Sequence, residues 1–210
     1  TLASGKYIQA NTKGTINILS WGCKEYDATE QYDNTTQLNK LFALLNTAYL
    51  TGSFSTISKG GGKVRVPDGD FLTRDTLFVG SCLNIHGYGG SSKFRFDPEV
   101  SGTDFMNEYN KNVAGGSGSA TDRSCVSILL EDFMVYCPTN GVQVPGYNGN
   151  GTVSQRNTFA KHGIHLSDTF QSNVNRVAVV GFWQGTAVYF ERKNEVFTYY
   201  NHINNCRFSD

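Results

Sequence analysis

Residues 60–96 read GGGKVRVPDGDFLTRDTLFVGSCLNIHGYGGSSKFRF. Within them lie five short runs of strand character, at 63–66, 71–73, 76–79, 83–86 and 93–96, each bounded by Gly, Pro, Asp or Ser. Runs this short cannot each build a hairpin with its own hydrophobic face. They require neighbours stacked above and below, and a solenoid supplies them. The expectation is therefore an all-β fold of stacked short strands.

Upstream of this stretch the pattern changes. Leu38, Leu41, Phe42, Leu45 and Tyr49 recur at intervals of three and four, which predicts a helix over 35–50 with one apolar face. Asp33 or Asn34 can cap its start and Gly52 lies just past its end. Residues 1–15 are polar and turn-rich and read as a lead-in arm, so structure is expected to begin near Ile16. Residues 16–58 then form an N-terminal cap and 59–210 the first coils.

Downstream there is a loose internal echo. Glu131-Asp132-Phe133-Met134-Val135, Asn175-Arg176-Val177-Ala178-Val179 and Asn204-Asn205-Cys206-Arg207-Phe208 each follow a polar pair with apolar, any residue, apolar. The Gly/Asn-rich 145–151 and the Gly/Ser-rich 113–120 read as insertions on individual coils. The sequence stops at Asp210 directly after a strand-like run, and an open last coil is normally protected in repeat proteins, so the coils are expected to continue beyond it.

Composition narrows the function. Lys plus Arg and Asp plus Glu both total 18, so the chain lacks the basic surplus that drives binding to a phosphate backbone, and nucleic acid is not an expected partner. Its longest apolar stretches, such as 177–180, fall far short of the ~20 residues that span a bilayer. Five scattered cysteines (Cys23, Cys82, Cys125, Cys137, Cys206) show no metal-ligand spacing and read as free, buried thiols of a reducing compartment. No Walker loop, zinc signature or nucleophile elbow occurs, so neither a metal nor a nucleotide cofactor is expected.

Three pieces, taken in order, resemble the opening of the pectate-lyase-like superfamily. The first is Ile16-Asn17-Ile18-Leu19-Ser20-Trp21-Gly22-Cys23, followed by Tyr26-Asp27-Ala28-Thr29 and by Asp33-Asn34-Thr35-Thr36-Gln37-Leu38. The second runs from Gly60 through Val64-Arg65-Val66-Pro67-Asp68-Gly69 to Leu72, and the third from Leu83-Asn84-Ile85-His86-Gly87-Tyr88-Gly89 to Ser92. Phe71, where the family often has tyrosine, and Cys23 and Lys24 are departures. The resemblance implies a right-handed, single-stranded parallel β-helix whose N-terminal end is capped by the helix.

The uneven later coils look most like bacteriophage tailspikes or tail fibres. That likeness implies a virion protein, assembled in bacterial cytoplasm as a homotrimer beside other tail proteins, that binds and depolymerises bacterial surface polysaccharide. A non-catalytic structural or receptor-binding virion protein and a secreted cellular lyase or glucanase stand as alternatives. Hydrolysis and β-elimination both remain open.

A glycoside hydrolase needs two carboxylates flanking the scissile bond. In Ile164-His165-Leu166-Ser167-Asp168, alternation turns Ile164 and Leu166 inward and leaves His165 outward, with Asp168 at the strand's end on a groove face or rim. Glu191 and Glu195 follow the strand 187–190, and Glu131 and Asp132 lie in an earlier coil. Acidic residues at solenoid turns are more often solvated or bound to local backbone, and an outward histidine is more often incidental. His86, in the turn motif, reads as structural. Among the aromatics, Trp183, Tyr189 and Tyr147, with Tyr136, Phe182, Tyr199 and Tyr200, are candidates to stack on sugar rings, against ordinary packing. Asn34 and Asn150 each open an N-glycosylation pattern.

Overall fold

The computed structural model describes residues 14–45, 49–50, 57–58, 61–96, 103–107, 125–137, 162–180, 187–191 and 200–209. It opens with β1 (Thr15–Asn17), a short 3-10 turn (Ile18–Trp21), α1 (Thr35–Leu45) and an antiparallel pair, β2 (Tyr49–Leu50) with β3 (Ile57–Ser58). A first pass follows: β4 (Gly62–Arg65), β5 (Gly69–Thr73) and β6 (Leu77–Val79). The second is β7 (Leu83–His86), β8 (Ser92–Phe96) and β9 (Thr103–Asn107). The third is β10 (Cys125–Val126), β11 (Leu129–Glu131), β12 (Met134–Tyr136) and β13 (His162–Ser167). The fourth is β14 (Thr169–Phe170), β15 (Asn173–Asn175), β16 (Ala178–Val180) and β17 (Val188–Glu191), and the fifth holds β18 (His202–Asn204) and β19 (Arg207–Ser209).

Among the described residues each of the first four passes visits three parallel sheets in the same order, and the fifth reaches the first two. Among the described residues sheet one runs β1-β4-β7-β11-β15-β18, sheet two β5-β8-β12-β16-β19, and sheet three β6-β9-β13-β17, with a short parallel pair β10-β14 beside them. The strands are short because their stability comes from register between passes. Val64 pairs with Ile85, Ile85 with Leu130 and Leu130 with Val174, all fully buried. On sheet two Phe71 pairs with Phe94, Phe94 with Val135 and Val135 with Val179, again buried. Each such side chain contributes about 1.5–3 kcal/mol relative to exposure, so the inward columns carry the fold.

The corners repeat as well. Cys82, Ser127, Gln171 and Tyr200 have φ of 61°, 55°, 54° and 55°. Each stands two residues before one of the register partners Asn84, Leu129, Asn173 and His202. Gly61 occupies the same corner below them, at φ 86°. The internal echo is a second column: Asp132, Arg176 and Asn205 are left-handed at 58°, 51° and 52°, and the next residues, Phe133 and Val177, turn into the core. A left-handed non-glycine residue costs about 1–2 kcal/mol, a cost offset here by the stacking of the turns.

The lid closes the first pass on every side. β1 pairs with β4 on sheet one. On sheet two the N–H groups of Tyr26 and Asn34 donate to the carbonyls of Asp70 and Leu72 at 2.6 and 2.9 Å. On sheet three the Asn39 side chain stands in for a strand: its Oδ1 accepts from Phe78 N–H at 2.9 Å and its Nδ2 donates to the Thr76 carbonyl at 2.8 Å. The α1 stripe of Leu38, Leu41, Phe42 and Leu45 is buried in the same core.

Several expectations are corrected here. The described helix spans Thr35–Leu45, and Tyr49 and Leu50, expected in it, belong to β2: aromatic and apolar residues suit a pleated strand as well as a helix, and the antiparallel pair with β3 takes them. Gly52 lies outside the described residues, as do 113–120 and 145–151. Asn34 serves as helix cap through its carbonyl, which accepts from Leu38 N–H, while its side chain bonds the backbone of Lys24 and Leu72. It is fully buried, so it is no glycan acceptor; Asn150 lies outside the description. Cys23, Cys125 and Cys137 are buried, but Cys82 and Cys206 only half so. Burial pushes the Cys23 thiol up to about 12, which keeps it a neutral packing group.

Candidate functional site on sheet three

In β13 the inward positions are Ile164 and Leu166, both fully buried, which turns His165 and Ser167 away from the core; His165 is half-buried there, while Ser167 is fully buried. In β17 Val188 points inward, so Tyr189 and Glu191 point out. Parallel register sets His165 opposite Tyr189 and Ser167 opposite Glu191. The four side chains thus form a two-by-two grid across two passes.

The grid is hydrogen-bonded. His165 Nε2 lies 2.9 Å from Glu191 Oε2, and Ser167 Oγ donates to the same carboxylate oxygen at 3.1 Å while lying 3.2 Å from His165 Nε2. The His165 and Glu191 side chains are 13% and 28% exposed, so the pair is shielded from bulk water yet reachable. The His162 ring stacks on Tyr189 with centroids 5.3 Å apart, and His165 lies 4.9 Å from the same ring. Tyr189 is exposed, so it offers ring surface beside the histidine–carboxylate pair.

Its chemistry is constrained. Ser167 and Glu191 converge on one ring nitrogen of His165, whereas a nucleophilic serine needs the base's two nitrogens divided between hydroxyl and carboxylate. The trio is therefore not a serine-nucleophile triad. Its competence is proton transfer through an imidazole oriented by a carboxylate, next to an aromatic platform.

The other predicted carboxylates are not brought to this grid. Asp168 is fully buried rather than on a groove rim: at φ 49° it turns the chain after β13, and its N–H donates to the Glu191 carbonyl at 2.8 Å. Glu191 is the last residue of β17 itself rather than one that follows it. Glu131 and Asp132 lie at the corner between sheets one and two, where Arg176 makes two 2.6 Å bonds to Asp132 and stands 3.6 Å from Glu131. The hydrogen bonds from Arg176, with the charges of Arg176 and His86, hold the Asp132 carboxyl below its ordinary range despite partial burial. That pair is a clamp between passes. Glu195, Trp183 and Tyr147 lie outside the described residues, as do Phe182 and Tyr199.

Sequence reasoning missed two groups. Ser167 shares parity with His165, which was the available signal; His162 shares parity with inward Ile164, so no alternation argument reaches it. The second group is on sheet two. Arg95 donates through Nε and Nη2 to Asp70 Oδ2 at 3.1 and 2.8 Å, its guanidinium lies 4.1 and 5.1 Å from the Tyr26 and Tyr136 ring centroids, and the Tyr136 hydroxyl donates to the same oxygen. This cluster fastens the lid to the first three passes, and it removes Tyr136 from the stacking candidates. Among the described residues no group of three His, Cys, Asp or Glu is arranged to hold a metal ion, and no helix is long and apolar enough to cross a membrane.

No protein-family model matches the chain, and no curated protein matches it. Among solved structures it is similar to ORF18 of Geobacillus virus E2, with a TM-score of 0.49 and 12% identity over 93% of this chain. The chain spans 42% of that protein's length.

Proposed function

We propose that the chain is the lid and first passes of a right-handed parallel β-helix in a bacteriophage tailspike or tail fibre, which binds bacterial surface polysaccharide and depolymerises it. The observation that carries the reading is the sheet-three grid. An exposed tyrosine ring backed by His162 suits the C–H face of a sugar, and the His165–Glu191 pair beside it suits proton transfer at a neighbouring ring. The ordered motifs from Ile16 to Ser92 support the superfamily, and the three-sheet visiting order supports the helix.

In this reading Tyr189 positions the sugar. His165, oriented by Glu191, takes or gives the proton, either at a ring carbon for β-elimination or at a glycosidic oxygen or water for hydrolysis. The test incubates the protein with capsule and O-antigen from a panel of bacteria, following new reducing ends and the absorbance of unsaturated sugars. Reducing ends alone identify a hydrolase, and both signals together a lyase. Binding without either favours a receptor-binding or structural virion protein, and neither binding nor turnover overturns the glycan reading. A trimer by sedimentation is the assembly expected alongside it.

A further inference from the structure

On sheet one, alternation sorts the side chains as it does on sheet three. Val64, Leu83 and Ile85 are fully buried, so Lys63 and Arg65 on β4 and Asn84 and His86 on β7 face outward. Register sets Lys63 between Thr15 and Asn84, and Arg65 between Asn17 and His86. These outward positions hold an ammonium, a guanidinium and an imidazole, and no carboxylate. Several other cations of the chain are engaged by the fold: Lys24 pairs with Glu30, Arg95 with Asp70 and Arg176 with Asp132. Among the described residues neither Lys63 nor Arg65 makes an ion pair, and Arg65 Nε and Asn84 Oδ1 are buried atoms with no hydrogen-bond partner. Donor and acceptor capacity is therefore unspent here. The Arg65 guanidinium lies 5.9 Å from the Tyr88 ring centroid, and that ring, at the corner after β7, is 55% exposed. The next residue in the column, Glu131 opposite His86, stands 3.6 Å from Arg176.

We propose that this corner of sheet one is a second glycan subsite, one that takes the anionic group, carboxylate or phosphate, of an acidic surface polysaccharide. Tyr88 carries the C–H face of one sugar, and Arg65, beside the ring, binds the anionic group through its planar fork. Lys63, two residues along the strand and about 6–7 Å away, meets a further oxygen or the next charged unit. Charge complementarity names the occupant. An unpaired guanidinium and ammonium on one strand face attract an anion, and an exposed aromatic ring beside them favours a sugar as its carrier. The subsite presupposes the glycan reading above and adds a charge class to it. Standing on a different sheet from His165 and Glu191, it holds polymer and moves no proton.

The experiment is an NMR titration of the protein with glucuronate, glucose 6-phosphate and glucose, following the Arg65 Nε–H and Tyr88 ring signals. At least one of the two anionic sugars is expected to bind about tenfold more tightly than glucose, and about 0.5 M salt should erase that advantage. A response to glucuronate alone makes the group a carboxylate, and a response to glucose 6-phosphate alone makes it a phosphate. Lys63→Gln with Arg65→Gln should bring the anionic sugars to within about twofold of glucose, whereas Tyr189→Ala should leave the ratio unchanged. Should the double variant unfold, Lys63→Gln alone, at an exposed position, should lower the ratio about threefold. No preference for either anionic sugar overturns the proposal, as does a preference that survives the substitutions. A glutamate hexapeptide that shifts the same signals at lower concentration also overturns it, by assigning the face to an acidic protein segment. Capsule or O-antigen bound without any charge preference strikes the subsite and leaves the glycan reading standing. Anionic sugars bound at Arg65 while the whole panel stays silent support the subsite and strike the depolymerase at sheet three.

Discussion

Tyr189 and Glu191 sit two apart on β17, so one ring and one carboxylate share a face, and each has its own measurable consequence. On the proposed glycan reading, removing the ring in Tyr189→Ala is expected to weaken affinity about two- to tenfold, the equivalent of the ~0.5–1.5 kcal/mol of a well-placed aromatic contact. Tyr189→Phe should leave it nearly intact; calorimetric titration with the cognate oligosaccharide checks both. Glu191→Gln keeps the shape but removes the charge that orients His165. On the proposed depolymerase reading it should lower kcat by about 10²–10³ with KM little changed, and a parallel rise in KM instead would make Glu191 a binding group. Tyr136 gives a prediction independent of function. Burial first, then its bond to Asp70 and the nearby carboxylate charge, raise its pKa above the ordinary tyrosine value. Its stabilising contribution is therefore full below pH ~10 and is lost as pH rises through the higher folded value. In an alkaline absorbance titration one of the eleven tyrosines should resist ionisation until the chain unfolds, and Tyr136→Phe should remove that lag. A single ionisation phase for all of them would contradict the cluster.

Elements here are specified from two sources, and they differ in how legible they are. The strands at 63–66, 71–73, 76–79, 83–86 and 93–96 could be read to within two residues at each end, because alternation of inward Val, Leu, Ile and Phe is a local pattern. The helix start was readable for the same reason. Its end was not, because Tyr49 and Leu50 pair with β3 and the Leu45 carbonyl accepts from Gly61 N–H at 2.9 Å, contacts that no local period encodes. The corners are the least legible: nothing in Gln171 or Tyr200 announces a left-handed residue, and only stacking imposes it. The site shares this division. That His165 faces outward follows from alternation, but that Ser167 meets Glu191 depends on register across an intervening connection, which no local pattern encodes. Gly61 tests the corner argument. A Cβ there would lie 2.3 Å from the Cys82 carbonyl oxygen, at a φ of 86°. Gly61→Ala is expected to cost about 3 kcal/mol or more in chemical unfolding, against about 1–2 kcal/mol for Gly89→Ala, where the Cβ meets open space and only the strain of its positive φ applies.

At the scale of the whole molecule the columns make neighbouring passes interdependent, as in other repeat proteins. Leu130 sits between Ile85 and Val174 in the sheet-one column, so Leu130→Ala opens a void against both neighbours. It should cost about 2–5 kcal/mol, and exchange should accelerate in β7 and β15 as well as β11. If only β11 responds, the passes are energetically separate and the column is not the unit of stability. The Asn39 amide that poses as a strand on β6 has a different consequence. Stacked strands of this kind grow into fibrils wherever a bare edge recurs at both ends of the unit. With the sheet-three edge at β6 capped by the Asn39 amide, that edge is closed to strand addition by another copy.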